Sequence, residues 1–343
     1  MVYRKRLRTL IGILKDKASM IKATLCNTNS NYSTAYVAVL SATTHDDSPP
    51  PPETIAAVLS LGQGSRPTAC ACVESLMDRL HGTQNATVAL KCLLTVHNVL
   101  AKGSFIIKDQ LSIYPSFGGR NYLNLSTFKD HSDPEMWELS SWVRWYAGFL
   151  EQNVAVSRIG SDGDKEERVL GLLNSDLLAE LDVLIEFVGR VSDSPGSSLN
   201  NSLVYEVLRL VGEDFRLAQR EIFVRVVEIG ERVGDMSLSE LTWSLDALEK
   251  LESCKESLFS VFVRKNDGFW DLVKESRTKV VAMVKENREG KMLIIKVKSI
   301  DEPNELVRFR NGSAGSEQLV RFSSGGGWLG MNRGSCNTVS AIG

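Results

Sequence analysis

The chain has 343 residues, 43% hydrophobic and 24% charged, with a formal net charge of −2. That length holds one large domain or two smaller ones with an ample core, and the near-neutral charge excludes a polycationic nucleic-acid binder. Any affinity for an anionic surface must come from a local patch. The six cysteines, Cys26, Cys70, Cys72, Cys92, Cys254 and Cys336, show no repeated CxxC spacing. Reduced thiols of an intracellular protein are expected, and no zinc site. No run of about 20 apolar residues is present to span a bilayer.

The opening stretch, MVYRKRLRTLIGILKDKASMIKATL, is basic and amphipathic. Leu7, Leu10, Ile11, Leu14, Ala18 and Ile21 recur at helical spacing. Around them stand Arg4, Lys5, Arg6, Arg8, Lys15, Lys17 and Lys22, against one acid, Asp16. Two readings are open: a first helix with a solvated basic side, or a helix lying on anionic lipid. The apolar run 10–14 is too short for a secretory signal, whereas a mitochondrial presequence shares the Arg-rich, acid-poor composition.

An apolar pattern at 36–40 is stopped by SATTHDDSPPPPET. Proline lacks the N–H and disfavours helix in the residue before it, so residues 48–52 are predicted to be extended, with a new helix from Glu53 and Thr54. PTACACVESLMDRLHG carries Pro67 near its start and Gly82 at its end, the expected asymmetry of a helix. NATVALKCLLTVHNVLAKG is apolar nearly all round and reads as a buried helix. A long helix follows with Trp137, Trp142, Trp145, Tyr146 and Phe149, an aromatic stripe expected in the core.

A Gly/Asp-rich gap precedes Leu170, Leu173, Leu177, Leu181, Leu184, Ile185 and Val188, read as one helix face. Long patterns over 203–233 and 238–287 predict antiparallel bundle helices. KMLIIKVKSI at 291–300 predicts a short strand over 291–299, and the Gly/Ser-rich remainder to 343 is expected to be largely disordered.

No catalytic or metal-ligating arrangement emerges. His45, His81, His97 and His131 are far apart, and none has a ligand partner at helical spacing. His97 reads as a satisfied core residue. GQGSRP lacks the third glycine and the preceding strand of a dinucleotide loop, and neither a P-loop nor a G-x-S-x-G elbow is present. The expectation is a binding protein, not an enzyme, with no cofactor.

Several motifs together resemble the ANTH domain of clathrin-assembly adaptors, and most the plant branch. They are Lys91, Thr95 and His97 in the buried helix; Leu123, Asn124, Leu125, Ser126 and Phe128 in a loop; and Tyr146, Phe149, Leu150, Glu151 and Arg158. The resemblance covers about residues 4–287. It implies an all-α fold, a superhelical stack of short helices (ENTH/VHS-like) continuing into long antiparallel bundle helices. The parts would be 1–158 (ENTH/VHS-like), 159–164 (linker), 165–290 (long-helix bundle) and 291–343 (tail). It also weighs against a presequence, since the opening stretch becomes the domain's first helix.

In that family the proline-containing loop holds the head group of an inositol phospholipid with basic residues. Here Ala42, Thr43 and His45 match, but Ser41 stands for the first lysine, and Pro51, Glu53 and Thr54 stand for the later basic residues and histidine. Asp46, Asp47 and Glu53 add negative charge. The site is degenerate, so membrane binding is expected to fall to Arg4, Lys5, Arg6, Arg8, Lys15, Lys17 and Lys22, with His45, and to track total anionic charge. The resemblance implies a cytoplasmic, peripheral membrane adaptor of clathrin-coated pits and vesicles, at the plasma membrane or Golgi. It would promote coat assembly or sort SNARE cargo, with an R-SNARE helix held against residues 170–188 and 203–211. No Asp-Pro-Phe, Asn-Pro-Phe or clathrin-box motif occurs, so contact with clathrin is expected to be weak or through other coat components. The alternative is a helical protein-binding scaffold that has lost phosphoinositide and clathrin contacts.

Overall fold

The computed structural model describes residues 2–25, 30–114, 123–157, 159, 165–196, 200–262 and 268–300, and among these it is all-α, with no strand. The first helices are α1 (Val2–Leu25), α2 (Ser30–Ala42), α3 (Pro52–Leu61), α4 (Arg66–Gly82), α5 (Ala86–Lys102), α6 (Phe105–Ser112) and α7 (Pro134–Ser157). Then come α8 (Lys165–Leu170), α9 (Asn174–Ser192), α10 (Ser202–Arg232), α11 (Leu238–Ser253), α12 (Lys255–Val261) and α13 (Phe269–Ile300). The chain divides into two units, Met1–Leu293 and Ile294–Gly343; of the second, the helical residues up to Ile300 are described.

Local sequence sets many of these boundaries. The Asn85 side chain accepts the Val88 N–H at 3.0 Å to start α5, and Asn201 accepts the Leu203 N–H at 2.9 Å to start α10. Ser237 and Glu240 form a reciprocal capping box at α11, which satisfies two otherwise orphaned N–H groups. The proline run ends one residue earlier than the sequence suggests. Pro52 sits in the first turn of α3, where its missing N–H costs nothing.

Within Met1–Leu293 one core runs from Ala35 to Val284. α4 packs on α2 and α5, α7 lies along α5, and α9 packs on α7 and receives α10 and α11. As expected, α5 is buried on nearly every side, from Ala86 to His97. In α7, Trp142, Tyr146 and Phe149 are in the core; the Trp145 indole N–H donates to the Arg190 carbonyl at 2.8 Å and ties α7 to α9. Trp137 departs from the expected stripe, being about half exposed and packed at a tilt against His131 with ring centroids 4.9 Å apart. His97 is the satisfied core residue its setting predicts: Nδ1 meets the Tyr146 hydroxyl at 2.7 Å and Nε2 the Asp214 carboxylate at 2.9 Å. The family-like loop has the same structural use. Leu123 and Leu125 are buried, the Leu123 N–H donates to Glu151 at 2.9 Å, and Asn124 adopts a φ of 50°.

Two expectations are corrected. Leu170 and Leu173 do not share a helix face with Leu177 and its successors; the helix breaks at 171–173 and both side chains are largely exposed. The corner is held from far away in sequence. The Arg232 guanidinium, at the end of α10, donates to the carbonyls of Leu170 at 2.8 Å and Leu172 at 2.6 Å and to Asn174 Oδ1 at 3.2 Å, so carbonyls freed by the break are satisfied without a continuing helix. The second correction is the predicted strand at 291–299, which is the end of α13. Extending an existing helix adds one hydrogen bond per residue fixed, whereas an isolated strand has no ladder to join. The expected linker 159–164 lies outside the described residues except for Ile159, and the expected disordered tail lies outside them beyond Ile300.

A fully buried Arg225 joins the bundle helices. It donates to Glu180 of α9 at 2.6 Å and to Glu221 of its own helix at 3.0 Å, while Arg168 of α8 holds the other side of Glu180 at 2.8 Å. Burial pushes the Glu180 carboxyl up, but the two arginines outweigh it and hold it below the ordinary carboxylate range.

Candidate functional site

The orientation of α1 follows from what its inner face can tolerate. Gly12 lies against His45 so closely that an added Cβ would sit 2.5 Å from the ring. One turn on, the Asp16 carboxylate is buried and shared: it accepts from Arg79 Nη2 at 2.7 Å, His45 Nδ1 at 2.6 Å and the His45 backbone N–H at 3.1 Å. Burial raises the Asp16 carboxyl, and the hydrogen bond from His45 and the charge of Arg79 more than offset that, leaving it below the usual range. One turn back, Arg8 donates to the Ser132 carbonyl at 2.8 Å. With Arg8, Gly12 and Asp16 inward, helical geometry of about 100° per residue sends Leu7, Leu10, Leu14, Ile21 and Leu25 outward. All are exposed, Leu14 by 65% and Leu25 by 78%.

Lys17 lies on one side of this apolar stripe and Lys15 and Lys22 on the other, all exposed. Arg4, Lys5 and Arg6 belong to the first turns of the same helix; their side chains are outside the described set. Six of the expected basic residues thus share one helix with Arg8, which is exposed but spends one donor on Ser132. The sequence left open whether α1 packs its apolar face inward; it does not.

The other expected residues sit apart from this surface. His45 is at the seat of α1, its Nδ1 engaged by Asp16. Ser41, in the last turn of α2, donates its hydroxyl to the Val37 carbonyl at 2.8 Å. Pro51 precedes α3, Glu53 is exposed in its first turn, and the Thr54 hydroxyl donates to the Pro51 carbonyl at 2.8 Å. None of Ser41, Pro51, Glu53 and Thr54 offers a cation. The acids of the loop do not simply repel anions, however. Asp46 accepts from the buried Lys91 ammonium at 2.9 Å and from the hydroxyls of Thr44 and Ser48. Burial raises the Asp46 carboxyl, but these hydrogen bonds and the Lys91 charge hold it far below the ordinary range. The Asp47 carbonyl receives the Ser202 hydroxyl at 2.8 Å, which ties the loop to the start of α10. The loop is therefore braced inward.

Beneath α1 lies a cleft of about 900 Å³. It is bounded by α1, α2, the end of α4 and the segment before α7, and its lining includes Arg8, Lys15, Arg79, Lys129 and His131. Sequence reasoning missed Arg79, Lys129 and His131, because nothing in the local pattern shows that residues so far apart converge. Among the described residues no group of His, Cys, Asp and Glu could hold a metal ion, and no helix is long and apolar enough to cross a membrane.

Comparison with known proteins agrees with this architecture. A family model described as "ANTH domain" matches residues 34–260. An Arabidopsis thaliana protein named "Putative clathrin assembly protein" is 42% identical over 340 residues, which is 92% of this chain and 93% of the relative. Two further Arabidopsis thaliana proteins of that name are each 30% identical, one covering 77% of this chain and 83% of the relative, the other 78% and 97%. On the family match and on a relative aligned over nearly its whole length, this chain belongs to the ANTH domain family.

Proposed function

We propose that the chain is a non-catalytic, peripheral membrane adaptor of clathrin-mediated traffic that docks on anionic phospholipid through α1. The observation that carries this is the outward apolar stripe of α1 bordered on both sides by cations. A helix of that form buries its apolar face at the boundary of headgroups and acyl chains while its lysines reach anionic headgroups. Basic residues near such a surface contribute about 1 kcal/mol each at physiological salt. Clathrin-coated pits and vesicles, at the plasma membrane or Golgi, are the site of action this reading favours, with coat components as partners. Much of the apolar surface at 177–188 and 203–211 is core, so a cargo helix such as an R-SNARE would meet the exposed Phe223 and Val227 of α10 instead. The rival reading, a scaffold working by protein contacts alone, draws on the missing cations at Ser41, Pro51 and Glu53.

Co-sedimentation with vesicles separates the two. The chain is expected to pellet with phosphatidylcholine vesicles containing phosphatidylserine, less so as salt rises, and not with phosphatidylcholine alone. Absence of binding to the anionic vesicles at low salt would hand the case to the scaffold.

A further inference from the structure

Two serines of the chain stand directly before a proline, Ser48 and Ser194, and no threonine does. The structure separates them. The Ser194 hydroxyl, just past the end of α9, is closed off from solvent. Ser48 is exposed in the loop between α2 and α3, with the exposed Asp47 before it and the run Pro49 to Pro52 after it. Proline fixes its own backbone and disfavours helix in the residue before it, and Pro51 is extended, with φ −58° and ψ 143°. A protein kinase takes its substrate hydroxyl from an exposed, non-helical segment of this kind. The missing N–H after Ser48 selects a kinase whose substrate cleft has no acceptor to satisfy at that place.

The same serine stands at a junction of charge. Its hydroxyl and its backbone N–H both donate to Asp46, the N–H at 3.1 Å, and Asp46 is the counter-ion of the buried Lys91 at 2.9 Å. One residue away, the Asp47 carbonyl takes the Ser202 hydroxyl of α10. On its other side the loop meets α1: His45 and Asp47 line one small cavity together with Arg8 and Thr9.

We infer that Ser48 is a phosphorylation site of a proline-directed protein kinase, and that its phosphate acts against the docking of α1. The Ser48 oxygen attacks the γ-phosphorus of ATP. The new P–O bond forms as the β–γ anhydride bond breaks, ADP leaves, and the hydroxyl proton passes to the catalytic carboxylate of the kinase. The product carries about −1.5 to −2 charges. Asp46 loses a donor and gains an anionic neighbour, which loosens its brace on Lys91. The cations of α1 meet a negative charge that competes with anionic lipid. This second effect rests on the membrane proposal; the site itself does not.

The full chain is incubated with magnesium and ATP and, in separate reactions, with a mitogen-activated and a cyclin-dependent protein kinase, and the phosphate is located by mass spectrometry. Phosphate is expected on Ser48 and not on Ser194, with a thermal midpoint below that of the unmodified chain. Binding to vesicles holding phosphatidylserine should weaken about tenfold at low salt. Ser48→Ala, carried through the same reactions, should keep its binding; Ser48 is exposed, so circular dichroism should show this variant folded. No phosphate on Ser48 in either reaction, or phosphate on Ser194 in its place, overturns the site. Phosphate on Ser48 with unchanged vesicle binding overturns the switch. If the unmodified chain ignores anionic vesicles, the membrane reading fails and the switch with it, while the site still stands or falls on the mass spectrum and the thermal midpoint.

Discussion

Replacing Leu10 and Leu14 together by glutamine probes the outward face of α1 without touching its seat. Leu10 is 57% and Leu14 65% exposed to water. Full burial of a leucine side chain stabilises by about 1.5–3 kcal/mol, so carrying the exposed part of each into the acyl boundary contributes about 1–2 kcal/mol. The pair removes about 2–4 kcal/mol of binding, a loss of about 30-fold or more in affinity. Folding should hardly notice, because substitutions at exposed sites without special contacts stay within about 0.5 kcal/mol and glutamine is a good helix former. The assay is vesicle co-sedimentation across lipid concentration, with thermal unfolding followed in parallel. An unchanged lipid midpoint would refute insertion and reduce the role of α1 to charge alone. A collapse of thermal stability would show that the stripe packs on protein in solution.

Two further substitutions test what holds the body together. Arg225→Ala strands Glu221 and removes one of the two arginines on Glu180; the expected cost is about 3 kcal/mol, the low end for a broken buried pair because Arg168 remains, and an unchanged urea midpoint would contradict it. Asp46→Asn leaves the buried Lys91 without its counter-ion and should cost about 1–2 kcal/mol at neutral pH, discounted because the Asp46 carboxylate is 38% exposed. Asp16, Asp46 and Glu180 are all held below their ordinary ranges, so their stabilisation is fully present above the unfolded carboxylate range and is lost as pH falls through about 4 and below. The Asp46→Asn variant should therefore lose less stability than the unaltered chain between neutral pH and about pH 3, and an equal loss would show that Asp46 carries no part of the acid sensitivity.

The elements that sequence reads well are those whose signals are local. α4 announces itself through Pro67 and Gly82, and α5 through an apolar surface with no polar side. The break at 171–173 is hard to read locally because the donor that satisfies its freed carbonyls, Arg232, arrives about sixty residues later. Periodicity gave α1 its stripe but not its direction, which is decided by Gly12 meeting His45 and by Asp16 meeting Arg79. The charges of the proline loop were counted correctly and read incompletely. Asp46 looks like an obstacle to anions until Lys91, forty-five positions away, is found against it. A cleft built from α1, α4 and the segment before α7 has no sequence signature at all.

The hold of Arg232 on the carbonyls of Leu170 and Leu172 bears on the order in which the chain assembles. A corner stabilised from about sixty residues downstream cannot form as α8 and α9 leave the ribosome; it waits until α10 is complete and the intervening loop has been closed. Contacts of such separation form late in folding, since the loop between them must be closed first. Residues 170–173, with two exposed leucines and a glycine, are accordingly a place where a protease should nick the native chain once Arg232 lets go.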